Sequence, residues 1–314
     1  MKKARMSSKK RPDFTISEMP HNRLQAFWDI LKLRWDILLY LGLHFLLFAI
    51  PLLVATFSEN ALLASLNPAD EGYRITRFRL FALMSGVEGV GILLLAIPFA
   101  GALRIYRLLT FYDGVLFRSD FWRGVKENGL QTFVVFFLGA AAFSMSRIAG
   151  GYLVHGGSSG FWQTVVFFLP AMLSLVFLLP ILGMHLSQIP IYRNTYFQNA
   201  RNAFYFYLRS FWSTLPFTLL LIAPLFLNLL PYLAVPILVL GIYGLAYLPI
   251  AMLGYALHAN WVFDRFLNKT DYPEIYDIGI YRERCIPNIG NKNTRLSIAG
   301  KKKTTVCQKP EEPP

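Results

Sequence analysis

The stretch 98-PFAGALRIYRLLTFYDGVLFRSDFWRGVKENGLQT-132 lies between two long apolar runs and is itself basic and aromatic. Arg104, Arg107, Arg118, Arg123 and Lys126 are interleaved with Tyr106, Phe111, Phe117, Phe121 and Trp122. Amphipathic rings sit at the headgroup level of a bilayer, and long cationic side chains reach from there into water. The stretch therefore reads as a cytoplasmic connector of a polytopic membrane protein. Asp113-Gly114 reads as a turn at the end of an inward-extending helix.

Composition agrees. The chain has 314 residues, 55% of them hydrophobic and 16% charged, with a mean hydropathy of +0.42. A soluble domain carries about 25% charge, so lipid is the expected solvent for much of this surface. The net charge of +13 would suggest nucleic acid in a soluble protein. Here the cations fall in the gaps between apolar runs, and no nucleic-acid partner is expected.

Six runs are long enough for spans, at about 37–57, 80–103, 130–149, 161–183, 211–230 and 232–258, since roughly 20 residues cross the hydrocarbon. The last two are separated only by Leu230-Pro231-Tyr232, which predicts a tight hairpin. The class expected is an all-α membrane protein with six transmembrane helices over residues 21–268. A basic tail, 1–20, precedes it, and a mostly disordered tail, 269–314, follows. Of the 31 lysines and arginines, 27 lie before span one, after span six, or between spans two and three and four and five. The positive-inside rule then puts both termini in the cytoplasm, against an anionic inner leaflet. The exceptions are Arg74, Arg77 and Arg79 in an outer loop expected at 58–79, and Arg147.

Residues 21–36 read as an amphipathic interfacial helix, with Leu24, Phe27, Trp28, Leu31 and Trp35 at helical spacing. The motif recurs. Phe27-Trp28, Phe121-Trp122 and Tyr196-Phe197 are each followed, three and four positions on, by an apolar residue and a cation: Leu31-Lys32, Val125-Lys126 and Ala200-Arg201. The even spans carry Pro98, Pro180 and Pro249. The pattern suggests three hairpins, each preceded by a cytoplasmic amphipathic helix.

Pro98, Ala102, Tyr106-Arg107, Gly114, Phe121 through Asn128 and Gln131, with the second connector Tyr196 through Ala203, resemble the YesL-like family of bacterial polytopic membrane proteins of unknown function. The resemblance covers about residues 22–265 and leaves both tails outside. It implies a bacterial cell membrane and an association with carbohydrate uptake, with sugar-transporter permease subunits as partners. It carries over no catalytic residue.

Within the spans, Glu88 is the sharpest candidate, because an ionisable group in hydrocarbon costs upward of about 2.5 kcal/mol. It reads as a proton-linked group of a carrier, or as a carboxyl protonated or paired with an arginine such as Arg147. Arg147 otherwise reads as a snorkelling cation. Ser85 and Gly89 flank Glu88 as a small-residue face for another helix. On the connector, Arg104, Arg107, Phe121, Trp122, Arg123 and Lys126 are candidates for docking lipid headgroups or a protein partner. His44, His155 and His185 lack the spacing of a zinc site. No cofactor is expected and no catalytic constellation is found. The expectation is a non-enzymatic accessory component, with a transporter or channel using Glu88 as the alternative.

Overall fold

Prolines shape the bundle. The computed structural model describes residues 20–155, 160–192, 194–224 and 241–280, and among these every regular element is helical. Helix α1 (Arg23–Leu33) is capped by the Asn22 side chain, which accepts from the Gln25 N–H. Helix α2 (Trp35–Ser65) leads to α3 (Tyr73–Leu94) and α4 (Ala96–Thr110). Then come α5 (Phe117–His155), α6 (Phe161–Leu173), α7 (Leu179–Gln188), α8 (Tyr196–Arg209), α9 (Phe211–Ile222) and α10 (Leu248–Phe263).

Each of the three even apolar runs is disturbed just before its proline. The α3–α4 helix tightens at Leu95, whose N–H bonds Ile92. A π turn at Ser174–Leu178 joins α6 to α7 ahead of Pro180, and another at Tyr243–Tyr247 precedes Pro249. Proline has no N–H and crowds the carbonyl four residues earlier. In lipid that carbonyl needs another donor or a close neighbour. Val176, the residue freed by Pro180, accepts from the Tyr207 hydroxyl. Leu245, freed by Pro249, points its carbonyl at Gly42 of α2, where a Cβ would collide with it.

The helices that follow the prolines, α4, α7 and α10, supply much of the buried core. Tyr106 on α4 donates to the Pro249 carbonyl at 3.0 Å, and Tyr255 on α10 donates to the Pro180 carbonyl at 3.3 Å. Each of these helices carries an aromatic-led helical segment on its flank: the start of α5 on α4, α8 on α7, and α1 on α10.

Four helical stretches are long and apolar enough to cross a membrane: Trp35–Ser65, Tyr73–Thr110, Phe117–Tyr152 and Phe161–Gln188. Their outward faces are strongly apolar, with Leu47, Val54, Leu83, Phe137, Phe161 and Trp162 exposed. The fifth and sixth runs lie partly outside the described residues, as do their expected hairpin at Leu230-Pro231-Tyr232 and the tail 1–19.

Three boundaries differ from the sequence reading. The connection read as 58–79 is mostly helix, because α2 and α3 run on until only 66–72 remain between them. Asn67 turns the chain there by accepting from the Ala69 N–H, and Gly72 takes φ 83°. The chain also stays packed on the bundle past 268. Ile278 accepts from Arg23, and Gly279 lies against the Thr110 carbonyl, so folded structure extends to residue 280. At the end of α4, the left-handed residue is Tyr112 (φ 58°) rather than Gly114, and the Asp113 N–H closes the helix on Leu108.

Candidate functional site

Two regions hold the sequence candidates, at opposite ends of the bundle. The first is ionic. Glu88 on α3 is 1% exposed and Glu59 on α2 is 4% exposed. Arg147 on α5 meets both. Its Nη2 donates to Glu59 Oε1 and Oε2 at 2.8 and 3.0 Å, and its Nη1 is paired with Glu88 Oε2. The guanidinium also lies over the Phe81 and Phe143 rings. Thr56 Oγ1, on α2, is 2.9 Å from Glu88 Oε1 and 3.1 Å from the Leu52 carbonyl.

Small residues make this convergence possible. The Ser144 hydroxyl donates to the Ser85 carbonyl at 2.9 Å, and a Cβ on Gly89 would press into that same hydroxyl. The Ser85/Gly89 face is thus occupied by α5. Arg147 does not snorkel. Its side chain is 26% exposed and turned to two carboxylates. Glu59 was not apparent from the sequence, because Ser58-Glu59-Asn60 ends an apolar run and resembles a loop start. Leu62-Leu63 after it, and Ala55 one turn before it on the same face, were the available signal that the helix continues.

The second region is the connector and its counterparts. Of the six connector candidates, two are internal. Phe121 is 1% exposed, stacked with Phe117 and seated where a Cβ on Gly101 would clash with its ring at 2.6 Å. It holds α5 to α4 and is not available for docking. Arg104 is likewise committed, to Glu127 at 2.7 Å and Asp120 at 3.5 Å. Gly124 lets the helices close: a Cβ there would meet Arg104 Cβ at 2.8 Å and the Ala100 and Gly101 carbonyls at 3.0 Å. Trp122, Arg123 and Lys126 face outward, with Arg123 paired to Glu127. Arg107 is half-buried over the Phe111 ring.

The aromatic pairs divide the same way. The first ring of each faces in: Phe27 packs by Gly254 of α10, Phe121 by Gly101 of α4, and Tyr196 against the His185 ring of α7. The second ring faces out and meets the first edge-on, Trp28 being 51% exposed, Trp122 48% and Phe197 82%. Lys32, Lys126 and Arg201 are exposed beside them.

Beneath this surface runs a polar chain that links distant parts of the sequence. Tyr192 donates to Asn268 at 2.5 Å, Asn268 to Asp264 at 2.8 Å, and Arg23 pairs with Asp264 at 2.6 Å. A π turn at Asp264–Asn268 presents the last two side chains. Nearby, burial and the Asp29 carboxylate push the Tyr112 phenol up to about 12, against the opposing effect of Arg23.

The cavity enclosed by α4, α7 and α10, lined in part by Tyr106, Arg107, Ser187, Tyr255 and Asn260, holds about 70 Å³. Ligand pockets start near roughly 300 Å³. A larger cleft, about 430 Å³, lies between α1, α9 and α10 and is mostly apolar. Its walls α9 and α10 are joined by a segment outside the described residues. Among the described residues no three His, Cys, Asp or Glu side chains converge as a metal site.

Comparison with protein families, with curated proteins and with solved structures finds no match. What the fold defines is a helical protein with several apolar, membrane-length helices.

Proposed function

We propose that this chain is a six-span protein of the bacterial cell membrane, made of three hairpins with both termini cytoplasmic. Its proposed role is that of a non-enzymatic accessory component of carbohydrate uptake. The observation that carries the architecture is the common register of the three interfacial helices. In each, the first aromatic meets a helix that follows an even-span proline, and the second aromatic and the cation stay outside. In support, α1 packs on α10 as α5 packs on α4 and α8 on α7.

Trp122 and Lys126 are the docking residues in this reading, with permease subunits as the partner. The link to carbohydrate uptake rests on the YesL-like resemblance alone. Purification from native membranes tests the role: permease subunits should accompany the chain and be lost on Trp122→Ala with Lys126→Ala. Permease retained by that variant, or absent from the parent, contradicts it.

A second reading is favoured by the Glu59–Glu88–Arg147 cluster, which makes the bundle itself a proton-linked carrier. Sugar flux into vesicles that is abolished by Glu88→Gln supports this reading, and absence of flux from the parent protein rejects it.

A further inference from the structure

We propose that Glu59, Glu88 and Arg147 form a binding site for one dissociable proton, carried on Glu88 Oε1 and shared electrostatically between the two carboxylates. The site deepens the carrier reading but stands on its own geometry, whether or not the bundle moves a solute.

The first argument is charge balance. Two carboxylates face one guanidinium, and both are nearly fully buried. The other charged groups of the packed helices are remote along their axes. On α2 the other acid is Asp36, at the opposite end. On α3 the nearest cation in sequence to Glu88 is Arg79, nine residues and so about 13 Å along the axis. On α5 the other arginines, lysines and acids, from Arg118 to Glu127, lie in the first three turns, and the titratable His155 is the last residue of the helix, eight positions beyond Arg147. Helix α6, which packs on α5, has none, and Ser174, at the start of the π turn after it, meets Ser146. With both acids ionised, the cluster would hold an uncompensated negative charge away from water, which is strongly unfavourable. Binding one proton makes it neutral.

The second argument is independent and comes from Thr56. Its hydroxyl has one proton and stands between two oxygens, Leu52 O at 3.1 Å and Glu88 Oε1 at 2.9 Å. The Leu52 carbonyl can only accept. The threonine proton goes to one of the two. Donated to Oε1, it serves an ionised Glu88. Donated to Leu52, as is common for a helical threonine four residues on, it leaves a Glu88 contact that is made only when Oε1 itself donates, which is the arrangement proposed here. Glu88 as a carboxylic acid satisfies the whole chain, from Glu88 Oε1–H to Thr56 Oγ1–H to Leu52 O. Its other oxygen, Oε2, faces Arg147 Nη1 as an ion pair. Glu59 keeps both oxygens on Nη2 and is the ionised partner in this proposal.

Proton exchange has a route. Glu59 is six residues from the end of α2, and Arg147 is partly exposed. Release of the proton changes the cluster from neutral to singly negative where α2, α3 and α5 meet, so it acts on the packing of three helices at once.

Infrared spectroscopy of the full chain in lipid vesicles separates a protonated carboxylic acid from a carboxylate by its carbonyl stretch. At neutral pH the parent should show an acid band that disappears in Glu88→Gln. The band should disappear equally in Glu59→Gln, because Glu88 is then the single anion facing Arg147 and ionises. In Arg147→Gln both acids should be neutral, and the cluster's band should double. An absent band in the parent, a band that persists in either glutamine variant, or one that does not grow in Arg147→Gln overturns the proposal. None of these outcomes depends on flux.

Discussion

The two ends of the bundle use charge differently. At the connector end the ion-paired groups match one for one: Arg23 with Asp264, and Arg104 and the exposed Arg123 with Asp120 and Glu127. Close contact there is made by shape, with Phe121 seated against Gly101 and Gly124 pressed to the α4 backbone. Where α2 joins α3 the ions do not balance, since Arg147 serves two buried acids. A balanced pair is a fastener whose state does not change near neutral pH. An unbalanced trio keeps one proton in play. Chemistry that responds to protons is therefore to be sought at the second end, and recognition at the first.

The largest expected effect comes from removing both acids. Glu59→Gln with Glu88→Gln leaves Arg147 without a counter-charge and should destabilise the bundle by roughly 3–5 kcal/mol. Either single change leaves one acid to one guanidinium and should cost under about 1 kcal/mol. Thermal unfolding in lipid nanodiscs measures this, and a double variant no worse than the sum of the singles would remove the distinction between the ends. Next, Gly124→Leu should cost roughly 1–3 kcal/mol by overpacking. That loss should be the same at every pH from 5 to 8, a sharper contrast with the acid variants than its size. Tyr192→Phe removes one hydroxyl from the Asn268–Asp264 chain and should cost about 1 kcal/mol. Smallest of all, Trp122→Ala should shift unfolding by no more than about 0.5 kcal/mol, although it removes the residue proposed to dock a partner.

Helix class, apolar runs and proline positions were legible in the sequence, because lipid demands long apolar helices and leaves few alternatives. Glu88 and Arg147 were legible for the same reason: ionisable residues in such runs are rare. Glu59 was not, because a polar triplet at the end of a run looks the same whether a helix stops or continues past the membrane. Phe121 was read as a docking residue because nothing in a Phe-Trp pair tells which ring faces inward. Gly101, twenty residues earlier, decides it by leaving room for the ring. Arg104 looked like a surface cation, and its partners Asp120 and Glu127 are recognisable only once α4 and α5 are known to lie side by side. The turn was placed on Asp113-Gly114 by composition, whereas the left-handed residue is Tyr112, packed against the core.

Single-cysteine labelling tests most directly whether the three aromatic-led helices share one side of the membrane. Cys285 and Cys307 are first replaced by serine. Trp28→Cys, Trp122→Cys, Phe197→Cys and Ala69→Cys are then probed one at a time with an impermeant thiol reagent in sealed, oriented vesicles. Residues 28, 122 and 197 should label from the same side, and residue 69 from the other. Labelling of 122 and 197 from opposite sides would contradict the three-hairpin bundle.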